Sequence, residues 1–245
     1  MIKDGNGPKF PRDVTRRTNR GRRALAYFSR KNNSMEIRVE SGLEKDVGLL
    51  LEADPRVISY RAQPFMLELG SNTILNTRSE YGKKSGTKPR FYTPDFVCRL
   101  DDGSLLVLDP KNHEFLEAFE ERREEITECL KGHGMKFLVL PDDKLDSAAV
   151  KNITRLHSLR ANYQDQYVAD CSRAVSALID KQPGWSVESL SQHLVEGKSA
   201  VWCALLTGVL STNLRQCIFS ETATVSAAYG DLQHFEILEL SQYED

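Results

Sequence analysis

The chain has 245 residues, of which 40% are hydrophobic and 28% are charged, and its formal net charge is −2. That composition is typical of a globular protein with one large domain or two small ones. The sequence opens without an apolar leader, and its longest mostly apolar stretch, 200–210, is too short to cross a bilayer, so we expect no membrane association. The five cysteines are scattered without a Cys-x-x-Cys pair. This argues against a zinc site or a disulfide framework and favours a reducing, cytoplasmic location.

The first 31 residues concentrate the positive charge of the chain. They carry ten lysines and arginines against two acids, so this segment has a net charge of +8 and the remainder −10. A basic arm on an acidic body indicates a polyanionic partner, most often nucleic acid, although a solvated tail without a partner has the same composition. Five arginines form the densest part of the arm and are the predicted DNA contacts: Arg16, Arg17, Arg20, Arg22 and Arg23.

Hydrophobic periodicity predicts alternating helices and strands in the first 145 residues. The predicted elements are a short helix near 22–29, a strand at 35–41, a helix ending before Asp54-Pro55, strands at 57–69, 90–100 and 104–112, a helix at 113–131 and a strand at 135–141. This order predicts a mixed sheet with flanking helices. We therefore predict a basic arm at 1–33 and an α/β domain at 34–145.

The remainder of the chain, 146–245, reads as a helical domain. Its predicted helices cover 146–163, 165–181, 187–195 and 199–210, and 214–224 is a candidate wing. The last two helices, joined by a short turn with Gly197, resemble a helix-turn-helix. Basic residues are nearly absent there, however, so docking of a protein is favoured over reading of DNA. Trp185 and Trp202 are predicted core residues.

Three side chains carry the chemistry predicted for the α/β domain. Asp95 follows Pro94, and Asp109-Pro110-Lys111 comes fourteen residues later at the end of the next apolar strand. Because side chains alternate faces along a strand, Asp109 and Lys111 point the same way, and Asp95 on the neighbouring strand can join them. Carboxylates hold a hard cation such as Mg²⁺, with Mn²⁺ as a substitute, and this set is suited to metal-dependent hydrolysis of a phosphodiester.

Two assignments within this set stay open at the level of sequence. Lys111 can orient the attacking water, help to deprotonate it or neutralise developing charge. A third carboxylate is expected from the first helix, where Glu44 is the first choice and Glu52 the rival. Glu44 has a structural reading as well, because it stands three residues after Ser41 as in a capping box.

These motifs resemble the TnsA family, the endonuclease subunits of heteromeric bacterial transposases. The resemblance is carried by five segments in order: Ser41-Gly42-Leu43-Glu44, Asp54-Pro55-Arg56-Val57, Gln63-Pro64, Tyr92-Thr93-Pro94-Asp95-Phe96 and Asp109-Pro110-Lys111. It covers roughly residues 10–140 with motifs and extends more loosely to the end. The chain departs from the family pattern at Asp109, where Glu or Gln is common, and at Pro110, which lacks a ladder donor. Either the strand has an open edge at Pro110 or it ends at Asp109.

The resemblance implies a restriction-endonuclease-like domain of the PD-(D/E)xK type followed by a winged-helix domain. It implies hydrolysis of the non-transferred strand at the 5′ ends of a transposon in double-stranded DNA, within the bacterial cytoplasm. The implied partners are the DDE transposase subunit TnsB and the AAA+ regulator TnsC. By motif position, Glu44, Asp95, Asp109 and Lys111 would be catalytic, the three acids would bind the metal, and Gln63 would support the site. The alternatives are a stand-alone restriction or repair nuclease and a non-catalytic adaptor that binds DNA or protein.

Overall fold

The computed structural model describes residues 24–32, 36–82, 88–181 and 184–240. The chain is a mixed α/β protein that divides into two compact units. Of the described residues, the first unit contains those within 24–48 and 56–144 together with Leu240, and the second contains those within 49–55 and 145–239. The predicted DNA contacts from Arg16 to Arg23 lie outside the described residues. Where the predicted helix near 22–29 is described, residues Leu25–Phe28 instead form a strand, so that prediction was wrong.

The first unit is built mainly from strands. Its strands are β1 (Leu25–Phe28), β2 (Glu36–Val39), β3 (Val57–Ala62), β4 (Met66–Glu68), β5 (Thr73–Leu75), β6 (Phe91–Tyr92), β7 (Phe96–Leu100), β8 (Leu105–Lys111) and β9 (Met135–Pro141). Helix α1 (Gly42–Ala53) begins in this unit, and α2 (Leu116–Lys131) lies wholly within it. The strands pair as a β1-β2 hairpin, a β3-β7-β8-β9 sheet and a β5-β4-β6 sheet.

The four-stranded sheet sets the positions of the candidate acids. Strands β3, β7 and β8 are antiparallel neighbours, whereas β9 returns through α2 to lie parallel to β8. The β7-β8 hairpin turns at the predicted Asp101-Asp102-Gly103, where Gly103 has φ +84° and donates its N–H to the Leu100 carbonyl at 3.0 Å. Its register pairs Phe96 with Leu108. Asp95, which precedes Phe96, and Asp109, which follows Leu108, are therefore brought to the same end of the sheet.

Two strands predicted as continuous are each broken into two. The pattern at 57–69 divides into β3 and β4 because Gln63 adopts φ +45° and Pro64 follows it. The pattern at 90–100 divides into β6 and β7 at Thr93–Asp95, around Pro94. Both breaks separate a strand of the β5-β4-β6 sheet, the small sheet, from a strand of the β3-β7-β8-β9 sheet, the large sheet. Alternating hydrophobicity does not distinguish one long strand from two collinear pieces that enter different sheets.

A continuous apolar core joins the small sheet, the large sheet and α2. Its buried members are Phe65, Leu67, Leu69, Tyr92, Val107, Ile126, Cys129, Leu130, Met135 and Phe137. Complete burial of a residue such as Leu67 contributes about 1.5–3 kcal/mol of hydrophobic stabilisation. Because both sheets and the helix contribute to this core, the strand ends that carry the candidate acids have a packed support beneath them.

Gly48 of α1 permits a close approach by Tyr27. A Cβ atom built on Gly48 would lie 1.9 Å from the Tyr27 hydroxyl, whereas one built on Gly42, in the same helix, would meet nothing within 4 Å. We expect Gly48→Ala to lower the free energy of unfolding by about 1–3 kcal/mol, because overpacking outweighs the roughly 1 kcal/mol gain in helix propensity. Urea denaturation measures this, with Gly42→Ala as the matched control. Equal stability of the two variants would contradict the expectation.

The second unit combines helices with a separate sheet of three short strands. Its elements are α3 (Ser147–Asn162), α4 (Asp165–Ile179), β10 (Trp185–Ser186), α5 (Val187–Ser191), α6 (Lys198–Leu206), β11 (Leu210–Ser211) and β12 (Thr224–Ala227). The strands pair in the order β10-β12-β11. Two predicted helices are too long: α5 ends at Ser191, and α6 ends before Gly208, whose φ of +71° breaks the helix and leads into β11.

The interior of the second unit contains both tryptophans, as predicted. Trp185 and Trp202 are each 7% exposed, so both belong to the buried set. Helix α6 is buried at every position from Ala200 to Leu205. Among the described residues of the whole chain, no helix has both the length and the apolar character needed to cross a membrane.

Candidate active site

Asp109 is a buried acid at the end of β8. Only 1% of the residue is exposed, and its two carboxylate oxygens have different surroundings. Oδ1 accepts hydrogen bonds from the Tyr92 hydroxyl at 2.9 Å and from the backbone N–H of Asp95 at 3.0 Å. Oδ2 lies 3.2 Å from Nζ of Lys111. One oxygen is therefore fixed by the protein scaffold, and the other faces a cation.

Asp95 lies in the bend immediately before β7, beside Asp109. Its Oδ2 is 3.5 Å from Nζ of Lys111, so the same ammonium faces one oxygen of each aspartate. Burial and the neighbouring Asp109 carboxylate raise the pKa of Asp95 well above its usual range, and these effects exceed the opposing effect of Lys111. Two carboxylates with one ammonium leave an excess of negative charge at this end of the sheet.

Lys111 occupies the position between the two acids. Burial alone would favour the neutral amine, but the Asp109 and Asp95 carboxylates outweigh it and raise the pKa of Lys111 above its usual value. The ammonium also lies 5.1 Å from the centre of the Phe119 ring of α2, a cation–π contact. The lysine is therefore held as a charged group directed at both carboxylates.

The position of Pro110 resolves the alternatives raised by the sequence. Strand β8 does not end at Asp109, because it continues to Lys111 and pairs in parallel with β9 as far as Lys111–Pro141. The antiparallel pairing with β7 stops earlier, at Leu108–Phe96. The last three residues of β8 therefore have a strand partner on one side only, which accommodates a proline without an N–H donor. Asp109 and Lys111 remain two residues apart on one strand and share a face.

Glu44 lies in the first turn of α1, where the sequence predicted a capping box. Its N–H donates to the Ser41 hydroxyl oxygen at 3.1 Å. Its carboxylate accepts from the Ser41 hydroxyl at 2.8 Å and from the backbone N–H of Glu40 at 2.9 Å, so the reciprocal backbone bond comes from Glu40 rather than from Ser41. Burial raises the pKa of Glu44, while Lys111 lowers it from a distance. The rival, Glu52, groups with the second unit.

Gln63 is connected to the site through its backbone. Its N–H donates to the Asp95 carbonyl at 3.0 Å, so Gln63 holds the carbonyl of Asp95 while Asp109 holds its N–H. The residue is only 4% exposed, and its φ of +45° is a backbone conformation that residues other than glycine rarely adopt. Its buried Oε1 has no hydrogen-bond partner. A strained backbone and an unpaired buried oxygen at one residue are features that concentrate at functional sites.

The donor set is compatible with a hard divalent cation. Asp95 and Asp109 each direct Oδ2 towards one positively charged point, and burial together with the Asp109 carboxylate raises the pKa of Asp95, an effect that a bound cation would offset. Mg²⁺ typically binds one or two carboxylates and completes its octahedron with water and phosphate oxygens. No group of three or more His, Cys, Asp or Glu side chains in the described part of the chain is arranged to hold a metal ion. The described geometry therefore brings together Asp95, Asp109 and Lys111, but not Glu44 as a third ligand.

Tyr92 is the residue that the sequence reasoning did not single out. It belongs to the Tyr-Thr-Pro-Asp segment, and its hydroxyl reaches an acid seventeen positions away in a different sheet. Burial and the nearby Asp109 and Asp95 carboxylates raise the pKa of Tyr92 well above its usual value, so the phenol remains a donor. The available signal was the hydroxyl of a tyrosine within a predicted strand, because a tyrosine hydroxyl requires a partner once it is buried.

Comparisons with known proteins add little to this picture. No family model matches the chain. An alignment 117 positions long, which covers 43% of the chain, is 26% identical to a 1-deoxy-D-xylulose-5-phosphate synthase from Natranaerobius thermophilus. The matched stretch spans 17% of that protein's length. A similarity this low and this partial places the chain in no family.

Proposed function

We propose that this chain is a metal-dependent DNA endonuclease of the PD-(D/E)xK type, acting in the bacterial cytoplasm as the TnsA-like subunit of a transposase. One observation carries the proposal: a single ammonium, Lys111 Nζ, lies 3.2 Å from Asp109 Oδ2 and 3.5 Å from Asp95 Oδ2. Two acids and a lysine on adjoining strand ends are the groups that hydrolysis of a phosphodiester requires. The assignment to a transposase rests on the motif resemblance.

Asp95 and Asp109 would hold Mg²⁺, or Mn²⁺ in its place, and Glu44, whose oxygens each accept one hydrogen bond from Glu40 or Ser41, would join them through a remaining lone pair if the helix start moved towards the metal. When bound, the metal would supply charge stabilisation at the phosphate and a lower pKa for the attacking water. Asp109 would present Oδ2 because Oδ1 is already bonded to Tyr92 and Asp95.

The raised pKa of Lys111 belongs to the site without a cation. There the Asp109 and Asp95 carboxylates keep the lysine protonated, and a protonated ammonium can orient water and neutralise developing charge but has no lone pair with which to accept a proton. A bound cation would offset those carboxylates and lower the pKa of the lysine, so all three roles that the sequence left open stay within the proposal.

The finer architecture is also part of the proposal. A sheet with antiparallel β3, β7 and β8 and a parallel β9, with α2 in the crossover, is compatible with a restriction-endonuclease-like core. In the second unit, the order α4-β10-α5-α6-β11-β12 and the strand arrangement β10-β12-β11 are compatible with a winged helix. The predicted wing would fall between β11 and β12.

A protein-docking role for the second unit has support from α6. The helix that would read DNA in a helix-turn-helix is buried from Ala200 to Leu205 and offers no base-reading side chains there. Lys198 at its start is paired with Glu188 at 2.8 Å. These features favour contact with another subunit, such as TnsB or TnsC, over sequence-specific DNA recognition.

The basic arm supplies a separate prediction. Charge reversal of its five clustered arginines should weaken binding to specific and random duplexes alike, because binding to phosphates is electrostatic. The slope of log K against log salt should become shallower by about 0.9 for each phosphate that the arm no longer neutralises. Fluorescence anisotropy at several salt concentrations measures this. An unchanged slope, together with failed assembly with a partner subunit, would mean that the arm docks onto protein instead.

A cleavage assay tests the proposed function. The chain is incubated with double-stranded DNA carrying transposon ends and Mg²⁺ or Mn²⁺, with and without TnsB and TnsC, and EDTA serves as the control. The proposal expects metal-dependent nicking of the non-transferred strand that depends on the partner subunits. Cleavage by the chain alone at unrelated sequences would indicate a stand-alone restriction or repair nuclease. Binding without cleavage under all these conditions would indicate an adaptor.

A further inference from the structure

Tyr92 links the small sheet to the candidate site. It lies on β6, whereas Asp109 lies on β8 of the large sheet, and its hydroxyl donates to Asp109 Oδ1 at 2.9 Å. The Tyr92 residue is 6% exposed, and its ring packs edge-on against Phe137, with the ring centres 5.9 Å apart. The hydroxyl is therefore placed by the packed core rather than by a mobile side chain.

We propose that Tyr92 is a positioning residue that fixes the Asp109 carboxylate so that Oδ2 faces the cation site. This inference rests on the proposed metal-dependent function. The carboxylate torsion of an aspartate is broad and roughly two-fold, so without a restraint the two oxygens exchange places or tilt away from the site. Tyr92 and the Asp95 N–H both bond to Oδ1, and together they hold the carboxylate plane.

The arrangement separates the structural and chemical roles of the two oxygens. Oδ1 accepts both scaffold donors, while Oδ2 is directed at Lys111, 3.2 Å away. One of these two donors is the backbone N–H of Asp95, which does not depend on the identity of any side chain. The Tyr92 hydroxyl is the donor contributed by a side chain, so the orientation of Asp109 depends on the identity of residue 92.

The matched control is a second buried tyrosine of the same unit. The hydroxyl of Tyr60 also makes a buried hydrogen bond, to the Tyr27 hydroxyl at 3.2 Å, but that partner is not one of the site acids. Tyr60→Phe and Tyr92→Phe therefore each remove one hydroxyl from a buried tyrosine. Only the second change removes a restraint on Asp109.

The test is calorimetric titration of the full-length chain with Mn²⁺, alongside urea unfolding. Tyr92→Phe should bind Mn²⁺ about 10- to 100-fold more weakly than the unmodified protein, the usual effect of losing a partner of a metal ligand. Tyr60→Phe should bind Mn²⁺ with unchanged affinity, whatever its loss of stability. In the cleavage assay, saturating Mn²⁺ should restore most of the rate of Tyr92→Phe, because the defect lies in affinity.

A second variant keeps the test decisive if Tyr92→Phe folds poorly. Incorporation of 4-aminophenylalanine at position 92 retains the ring and a para donor, and it should restore Mn²⁺ affinity. Unchanged Mn²⁺ affinity in folded Tyr92→Phe would overturn the positioning role and leave the proposed nuclease intact, since the unmodified protein would still bind metal and cut. Failure of the unmodified protein to bind Mn²⁺ would overturn both.

Discussion

Replacing Asp95 with asparagine is expected to lower metal-dependent strand cleavage by roughly 100-fold or more, because the variant loses a charged metal ligand and the transition-state stabilisation that depends on it. Asparagine keeps the shape of the side chain, and the backbone bonds of residue 95 to Gln63 and Asp109 do not involve it. Single-turnover nicking of a labelled duplex measures the effect. Cleavage near the unmodified rate by a well-folded variant would remove the central assignment.

The same substitution should stabilise the protein in EDTA. Burial and Asp109 raise the pKa of Asp95, so the folded state keeps a proton at pH values where the unfolded chain has released it. The free energy of unfolding therefore falls as pH rises from the ordinary aspartate range through the raised pKa. Asparagine removes this loss and leaves Asp109 and Lys111 as a balanced pair, so the variant should have the higher free energy of unfolding above the ordinary aspartate range.

Asp102 supplies the control for both measurements. It is an exposed aspartate in the β7-β8 turn of the same unit, and its carboxylate accepts the Ser104 N–H at 2.8 Å. Asp102→Asn should leave cleavage unchanged and should not raise stability. A gain in stability confined to Asp95→Asn would mark a position where function and stability oppose each other.

Lys111→Met should lose cleavage by about 100-fold or more while it keeps Mn²⁺ binding. Methionine retains much of the apolar stem but has no ammonium, so it loses both the contact with the Phe119 ring and the charge that would act at the phosphate. A charged lysine has no lone pair with which to ligate metal, so its removal leaves both carboxylates available. Calorimetry with Mn²⁺ and the nicking assay separate these two effects.

The variant has a second signature in its stability. Without the ammonium, Asp95 and Asp109 are left uncompensated, and an uncompensated buried charge is strongly destabilising. Added Mn²⁺ should therefore raise the melting temperature of Lys111→Met more than that of the unmodified protein. Lys131→Met, at the exposed end of α2, is the control. Loss of Mn²⁺ binding in folded Lys111→Met would indicate a structural role for the lysine.

The local sequence pattern predicted the bounds of elements that are long or that have clear start and stop signals. Strand β9 has its predicted bounds, Met135–Pro141, and α3 lies within one residue of its prediction at each end. Strand alternation and the Asp-Asp-Gly turn together also predicted that Asp95, Asp109 and Lys111 would converge. Each of these inferences uses neighbours in sequence or a single hairpin, which periodicity and turn chemistry describe well.

Features that depend on distant partners were not predictable in the same way. The segment Leu25–Phe28 is a strand because it pairs with β2, and its own composition does not reveal that. The bond between Tyr92 and Asp109 joins two sheets, so the sequence offers a hydroxyl in need of a partner but does not identify Asp109 as that partner. Gln63 was expected to support the site, but its positive φ and its link to the Asp95 carbonyl arise from how β3 ends against β7.

The tight turn at Asp101–Gly103 helps to set the strand register on which a site at the opposite end of its hairpin depends. It fixes the register in which Phe96 faces Leu108, and that register alone brings Asp95 beside Asp109. A slip of one residue would carry Asp109 and Lys111 to the other face of the sheet. An insertion at this exposed loop that shifted the register would therefore separate the acids without replacing any residue of the site.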